Sequence, residues 1–222
     1  MLTAQSLTFR FAEHGSLLFE NLNLSISPGR ITLLQGESGS GKSTLCRILC
    51  AVIPHVIQGI IQGNVSLDGT PLQDMPLVLI SQWIGVAFQN PDTQLFMPTV
   101  EHEIVFGLEN QALSKPEMTE ILNLTLRDYG LEGIRHTDPR QCSGGEKQLI
   151  VFASVAAMNR PYLILDEAFS QVDPANCARI REQLGFYKQQ GKGILVVDHR
   201  HVFDQLADEA YCLEAGRLRR ID

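Results

Sequence analysis

One glycine-rich stretch limits the folds open to this chain more than any other feature of the sequence. The stretch GESGSGKST occupies residues 36–44 and directly follows ITLLQ, a mostly apolar run at 31–35. A short apolar run that ends at such a loop is typical of a buried strand in a parallel sheet. Residues 42–53 then continue with the pattern of a helix. A strand, a loop and a helix in this order predict an α/β fold.

The same stretch carries a phosphate-binding pattern. Gly36, Gly41, Lys42 and Ser43 occupy the fixed positions of the P-loop. Glycines let backbone N–H groups close around phosphates, while Lys42 neutralises β- and γ-oxygens and the Ser43 hydroxyl suits Mg²⁺. The alternative is a surface loop, which the flanking strand and helix disfavour. We expect nucleotide phosphates on Gly36, Glu37, Ser38, Gly39, Ser40, Gly41, Lys42, Ser43 and Thr44.

A second stretch, YLILDEAFS at 162–170, is typical of a buried strand that ends on two carboxylates. Open parallel sheets bind ligands at the carboxyl ends of their strands, so Asp166 is placed to hold Mg²⁺. Glu167 is then next to the attacking water and is the expected general base, a role worth about 10²–10⁴-fold in rate. The alternative is that both residues cap a strand in solvent, and the P-loop makes that reading less favourable.

A third stretch, QCSGGEKQ at 141–148, predicts a bare loop of Ser143, Gly144 and Gly145 before a helix from Glu146 to about Met158. A helix N-terminus presents free N–H groups and a positive dipole end, which suits an anion. The chain therefore has two predicted phosphate contacts. The alternative for this stretch is an ordinary glycine-rich start of a helix.

Composition excludes several classes of protein. The chain has 222 residues, a net charge of −7 and no basic stripe, so we expect no nucleic-acid partner. The basic stretch at 217–220 is expected to be a solvated edge. No apolar run is long enough to cross a bilayer and the N-terminus does not resemble a signal peptide, so we expect the cytosol. The cysteines form no CxxC pair and are expected to be small buried residues in a reducing compartment.

Taken together, GESGSGKST, CSGGEKQ, LILDEAFSQVD and VVDHRH follow one another in an order that resembles the nucleotide-binding subunit of an ABC transporter. The resemblance covers nearly the whole chain. It implies an α/β P-loop NTPase core, an antiparallel β subdomain and a helical subdomain inserted before the signature motif, Ser-Gly-Gly. It further implies one domain over 1–222, with the core and β subdomain in 1–89 and 161–222 and the helical subdomain in 90–160.

The resemblance also implies a reaction and a dimer. Two such chains meet head to tail on two ATP molecules with Mg²⁺, and hydrolysis reopens them. Ser143, Gly144 and Gly145 of one chain would then contact the γ-phosphate that the P-loop of the other chain holds. Gln89 resembles the glutamine that reaches Mg²⁺ and the water, and His199 resembles the histidine that contacts the γ-phosphate.

Two further residues are given roles by the same resemblance. Asp173 resembles an aspartate at the dimer interface, and it also suits the N-cap of a helix that Pro174 begins. Phe11 matches the aromatic residue that stacks on adenine. Leu7, Phe9 and Phe11 alternate with polar residues as in a half-buried strand, so packing in the core is the alternative for Phe11.

The stretch FQNPDTQLFMPTVEHEIVFGLEN at 88–110 is similar to the ATPases of energy-coupling-factor importers, which take up vitamins and cobalt or nickel ions. In that group the segment after the glutamine docks an integral membrane protein, so we expect this partner near Pro91, Asp92 and Gln94. The chain would then lie on the inner face of the cell membrane. Many members carry a further dimerisation segment after the position of Asp222, so a dimer without ATP is expected to be weak.

Several positions depart from the family pattern. Cys142 and Leu149 replace a leucine and an arginine beside the signature, and Asp198 and Arg200 flank His199. A helix N-terminus lowers the pKa of a thiol, so Cys142 is expected to be reactive, and its alkylation is expected to block closure on ATP. Two other functions stay open: a cytosolic assembly ATPase of the iron–sulfur type and a nucleotide-binding regulator that does not turn over.

Overall fold

The computed structural model describes residues 1–199 and 202–221, which form two β-sheets surrounded by helices. The first sheet is antiparallel. Its strands, numbered along the chain, are β1 (Leu2–Arg10), β2 (Phe19–Ile26), β4 (Ile60–Leu67) and β5 (Thr70–Pro71), and they lie in the order β2-β1-β4-β5.

The second sheet forms the centre of the molecule. Its strands are β3 (Ile31–Gln35), β6 (Ile84–Ala87), β7 (Tyr162–Asp166), β8 (Gly193–Val197), β9 (Glu209–Glu214) and β10 (Arg217–Ile221). They lie in the order β10-β9-β3-β8-β7-β6, and only β10 pairs with its neighbour in the antiparallel sense. Every residue of β7 and β8 is buried, as expected where helices cover both faces of a parallel sheet. The predicted α/β fold with a separate antiparallel sheet is confirmed.

The helices lie on both sides of the parallel sheet and between its strands in the sequence. They are α1 (Lys42–Leu49), α2 (Val52–His55), α3 (Leu77–Ile80), α4 (Val100–Glu109), α5 (Lys115–Tyr129), α6 (Gly144–Ala157) and α7 (Pro174–Gln189). Short 3₁₀ turns occupy Leu72–Asp74, Pro91–Thr93, Glu132–Ile134, Pro139–Gln141 and Asp204–Leu206. Thus α4, α5 and α6 all fall between β6 and β7. The proposed limits of the helical subdomain at 90 and 160 stay predictions.

Local sequence signals explain where the helices in this middle segment begin and end. Ser114 and Glu117 form a capping box at the start of α5, with Pro116 in its first turn, and Gly130 ends the helix in the left-handed region. Val100, Ile104 and Leu108, which the sequence places on one face of α4, are all fully buried.

The structure corrects two boundaries predicted from the sequence. The helix predicted over 42–53 ends at Leu49, because Ala51 takes a left-handed backbone with φ of 60° before the short α2. The strand of alternating residues ends at Arg10, so Phe11 lies beyond β1 with 54% of its surface exposed. The alternative of Phe11 in the core is therefore wrong.

Two apolar clusters fill the molecule. One lies between the parallel sheet and the helices α4 to α7, and it includes Phe152, Phe169 and Tyr129. The other joins the antiparallel sheet to α1 and includes Phe9, Phe19 and Cys46. At the far edge of the parallel sheet, β10 exposes all three of its arginines, which confirms the predicted solvated edge. Among the described residues, no helix is both long enough and apolar enough to cross a membrane.

Candidate functional site

The glycine-rich loop connects the end of β3 to the start of α1, as the sequence predicts. Gly36 and Gly41 have backbone φ angles of 142° and 104°, which residues with a side chain rarely adopt. A Cβ atom at Gly36 would overlap the carbonyl oxygen of Leu213, and one at Gly41 would lie 2.8 Å from the ring of Phe19. These two positions therefore require glycine on grounds of both conformation and space.

Lys42 lies inside this loop with only 5% of its surface exposed. Its Nζ donates to the carbonyl oxygens of Gly36 and Glu37, both at 2.8 Å. The Oγ of Ser40 is buried and has no hydrogen-bond partner among the described residues. A buried ammonium and an unsatisfied buried hydroxyl in one loop favour a phosphate there, because buried polar groups are costly without partners. The loop therefore fits the phosphates of ATP.

The residues expected to hold Mg²⁺ lie together at the carboxyl end of β7. The Ser43 hydroxyl donates to Oδ1 of Asp166 at 3.0 Å, and Asp166 is 1% exposed. Burial raises the pKa of the Asp166 carboxyl, and the hydrogen bond from Ser43 works against that rise. A buried carboxylate next to a hydroxyl is the oxygen donor set that Mg²⁺ prefers, so these residues fit the ion.

Three side chains converge on the carboxylate of Glu167, which has a left-handed backbone with φ of 48°. Gln89 donates its Nε2 to Oε2 of Glu167 at 2.8 Å. Nδ1 of His199 lies 3.7 Å from Oε2, and Nζ of Lys42 lies 3.9 Å from Oε1. A donating amide, an imidazole and an ammonium thus surround one carboxylate at the edge where β3, β6, β7 and β8 end.

The predicted signature residues form a second group at the start of α6. Ser143 is the N-cap, and its hydroxyl donates to Oε2 of Glu146 at 2.7 Å in a full capping box. The hydrogen bond from Ser143 holds the pKa of the Glu146 carboxyl below its usual value. Gly144 and Gly145 belong to the first turn of the helix, so the bare loop predicted over these three residues is wrong. The capping side chain of Ser143 therefore lies at the positive end of the α6 dipole.

The remaining predicted site residues lie at two other places. Asp173 caps α7 by accepting the N–H groups of Ala175 and Asn176 at 3.0 and 3.1 Å, so its predicted N-cap is confirmed. Phe11 packs edge-on against Phe9 with ring centroids 4.9 Å apart. The ring of Phe11 is exposed and so accessible to an adenine ring, and its stacking on adenine stays a prediction.

The structure corrects the expected chemistry of Cys142. Burial raises the pKa of this thiol above its usual value, and the negative charge of Glu146 adds to the rise. Of the other departures, Leu149 is 3% exposed in the core, Asp198 accepts the N–H of Val202 at 2.9 Å, and Arg200 lies outside the described residues.

We therefore expect iodoacetamide to alkylate Cys142 more slowly than free cysteine at neutral pH, because a raised pKa leaves less thiolate. The alkylation rate of Cys142 should continue to rise with pH above about pH 8.5, the pH at which half of free cysteine is already thiolate. Mass spectrometry of the peptide that contains Cys142 measures both rates, with free cysteine in the same tube as the control. Faster alkylation of Cys142 than of free cysteine would contradict this expectation, and full ATPase activity after complete alkylation would contradict its role in closure.

The residues expected at the partner-docking segment have mixed surroundings. Pro91 is buried, and Gln94 uses its amide internally, accepting from the N–H of Phe88 at 2.7 Å and donating to the carbonyl of Val86 at 3.0 Å. Asp92 is exposed and forms an ion pair with Lys147 of α6 at 2.7 Å. Pro91 and Gln94 therefore stabilise the conformation of this segment, and Asp92 is the exposed one of the three.

A groove of about 470 Å³ lies beside this segment, between α3, α4 and α6. Val78 and Phe96 on its rim are 71% and 63% exposed, and Phe96 packs edge-on against Phe106. Arg160 lines the groove, and its buried Nε has no partner among the described residues. A groove with exposed apolar side chains on its rim fits an apolar helix.

Sequence reasoning missed two residues with roles in these places, Arg160 and Gln148. Gln148 lies in α6 with 2% of its surface exposed and bonds to Ser170 and Gln171. Neither residue stands in a pattern with a local chemical meaning. The one signal for Gln148 is a polar residue within the apolar face of a predicted helix.

A P-loop at the end of a parallel strand, faced by the buried Asp166 and the partly buried Glu167, defines a P-loop ATPase. The sequence model of the ABC transporter family matches residues 19–170. The chain is 34% identical over 223 residues to the energy-coupling factor transporter ATP-binding protein EcfA of Syntrophomonas wolfei, covering 100% of this chain and 80% of that protein. The chain therefore belongs to the ABC transporter family, as an ABC ATPase that binds ATP.

Other relatives and solved structures agree with membership of the ABC transporter family. EcfA1 of Thermotoga maritima is 34% identical over 89% of this chain and 72% of its own length. A Saccharolobus solfataricus protein, provisionally named as an ABC transporter ATP-binding protein, is 38% identical over 80% of this chain, and the match spans only 33% of that longer protein. The solved structure of cbiO1 from Clostridium perfringens, part of the ABC transporter complex cbiONQ, has a TM-score of 0.83 at 25% identity over 98% of this chain and 86% of that one. An ATP-binding cassette solved as a dimer with ADP and Pi has the same fold, with a TM-score of 0.86 at 24% identity over 100% and 98%.

Proposed function

We propose that this chain hydrolyses ATP to power a membrane importer of the energy-coupling-factor type. The observation that carries the proposal is the contact of Glu167 with Gln89, His199 and Lys42, because it provides a base beside a phosphate-binding loop. Release of phosphate from Mg-ATP by the purified chain tests hydrolysis. A chain that binds ATP without releasing phosphate would instead be a regulator.

The residues of the site have distinct tasks in this proposal. The P-loop and Lys42 bind the β- and γ-phosphates, while Ser43, Asp166 and Gln89 hold Mg²⁺. Bound Mg²⁺ supplies Lewis-acid stabilisation of charge on the transferred phosphoryl group. Glu167 accepts a proton from the attacking water, and His199 orients toward the γ-phosphate.

The second phosphate contact would belong to the opposite chain. In a head-to-tail dimer, Ser143, Gly144 and Gly145 at the start of α6 would meet the γ-phosphate on the other chain's P-loop, with Asp173 at the interface. Hydrogen bonds to charged groups are worth about 1.5–3 kcal/mol each, so a few such bonds per site suffice to close a dimer only while ATP is bound. The second chain is either a copy of this one or a related ATPase.

The type of importer follows from the relatives. Two relatives that match most of this chain are named as ATP-binding proteins of energy-coupling factor transporters, and cbiO1 is named as part of a transporter complex. These names support a transporter of the energy-coupling-factor type. A vitamin or a metal ion as its cargo and a position on the inner face of the membrane are part of the proposal and rest on the family resemblance of the sequence. A cytosolic assembly ATPase of the iron–sulfur type is the second candidate, and it would purify with soluble partners.

The groove beside Asp92 is the expected docking site for the membrane partner. Its exposed apolar rim at Val78 and Phe96 suits an apolar helix of the partner. The Asp92–Lys147 ion pair and the buried Pro91 link the edge of this groove to α6.

Phe96→Asp should release the chain from native membranes, because the new carboxylate places a charge where an apolar partner packs. We expect the sedimenting fraction to fall about tenfold, the equivalent of 1.4 kcal/mol. Sedimentation of native membrane vesicles measures this fraction. The matched control is Phe186→Asp, since Phe186 is also exposed, at 51%, but lies on α7. Equal retention of both variants would contradict docking in this groove.

A further inference from the structure

Gln148 lies in the first half of α6, where its side chain is almost completely buried, with 2% exposed. Its Nε2 donates to the Oγ of Ser170 at 2.9 Å, and its Oε1 accepts the backbone N–H of Gln171 at 2.8 Å. Both ends of one amide therefore bind the same short segment. Buried hydrogen bonds of this kind are costly to break because the donor and acceptor groups left behind cannot bond to water.

The glycines of the same helix add to this contact by shape. A Cβ atom at Gly145 would lie 2.6 Å from the carbonyl oxygen of Gln171, and one at Gly144 would overlap the side-chain amide of Gln171. The first turn of α6 thus lies directly against residues 170–171. Little space is left for one of these elements to move without the other.

The segment in contact with α6 begins at the catalytic carboxylate. Only Ala168 and Phe169 separate Glu167 from Ser170, and both are buried in the core. The Ser170 N–H donates to the Glu167 carbonyl at 3.3 Å. A compact turn with buried side chains has little freedom to absorb a shift, so a displacement of Glu167 reaches residues 170–171.

We propose that Gln148 is a positioning residue that couples the two phosphate contacts of one chain. Nucleotide on the P-loop fixes Glu167, the turn carries that order to residues 170–171, and Gln148 passes it to the N-terminus of α6. Because that N-terminus contacts the nucleotide of the opposite chain, binding of nucleotide at one site changes the order of the residues that complete the other site. The inference rests on the proposed function, because it assigns α6 to the second site.

A second contact between α6 and the site is weaker. The Asp92–Lys147 ion pair also ties α6 to the segment after Gln89, but Asp92 is 63% exposed. Exposed ion pairs contribute little because water and salt screen them and long side chains lose entropy. The buried amide of Gln148 is therefore the dominant connection.

Hydrogen–deuterium exchange tests this coupling in dilute single chains. The non-hydrolysable analogue Mg-AMPPNP should slow exchange of the amides at 143–147 about fivefold in the wild type, the effect of one retained hydrogen bond. In Gln148→Leu the slowing should vanish, while binding of a fluorescent ATP analogue stays unchanged. Ser170→Ala removes one of the two bonds and should give an intermediate value, and it serves if Gln148→Leu does not fold.

The matched control is Gln111→Leu. Gln111 is also partly buried, and its Nε2 donates only to the carbonyl of Gly107 at 3.3 Å, away from both phosphate contacts. It should keep the fivefold slowing. Equal slowing in Gln148→Leu and wild type, or none in wild type, would overturn the coupling. A wild type that neither binds ATP nor releases phosphate would instead overturn the proposed function.

Discussion

Glu167→Gln should lower the rate of ATP hydrolysis by about 10²–10⁴-fold, because an amide cannot accept the proton that the attacking water gives up. Binding of Mg-ATP should persist, since Lys42, Ser43 and Asp166 keep their contacts with one another and with the loop. Phosphate release under saturating Mg-ATP measures the rate. Wild-type turnover by this variant would remove Glu167 from the chemistry.

The same variant reports on the dimer, because ATP that is not hydrolysed keeps the closed form. Light scattering should then show the mass double from 24.7 kDa when Mg-ATP is added. A single chain that still binds ATP would mean that the second half of each site comes from a related chain. The control is Glu182→Gln, since Glu182 is exposed on α7 and has no role in the proposed site, so that it should leave turnover unchanged.

Gly145→Ala should lower the free energy of unfolding by about 1–3 kcal/mol, because the new methyl group would meet a backbone oxygen that cannot move aside. It should also prevent closure on ATP, since relief of the overlap shifts the first turn of α6. Urea unfolding measures the first effect, and the mass of the Glu167→Gln, Gly145→Ala double variant with Mg-ATP measures the second.

Two other glycines, Gly144 in the same helix and Gly133 in an earlier turn, give controls for this substitution. At Gly144 the obstacle is the end of the flexible Gln171 side chain, so Gly144→Ala should cost less than Gly145→Ala. At Gly133 no heavy atom of the described residues, apart from its own chain neighbours, lies within 4 Å of the added Cβ, so Gly133→Ala should change stability little. If all three variants were equally stable, the packing of α6 against Gln171 would be unimportant.

The phosphate-binding loop could be predicted from the sequence almost residue by residue, because its chemistry and its structure are both local. A strand, glycines at fixed spacing, Lys42 and Ser43 are neighbours in the chain, and the loop conformation follows from them. The capping boxes at Ser114 and Ser143 also arise from residues close together in the sequence, although at Ser143 the prediction is a bare loop and is wrong.

What could not be predicted depends on distant packing. The bonds of Gln148 form only because α6 lies on residues 170–171, and the groove exists only because α3, α4 and α6 meet. The pKa of Cys142 is a smaller example of the same kind. The helix dipole alone predicts a fall, but burial and the Glu146 charge, which the fold supplies, produce a rise.

The outer strand of the parallel sheet has a consequence for how this chain behaves in concentrated solution. β10 pairs with a strand on only one side in the part of the chain that the structure describes, and an edge strand of a sheet is a template on which a strand of another copy can pair. Arg217, Arg219 and Arg220 are exposed along β10, and each is within ion-pair distance of a glutamate of its own chain. Bulky charges along an edge oppose strand-to-strand association between copies. Self-association of copies through this edge of the sheet is therefore disfavoured.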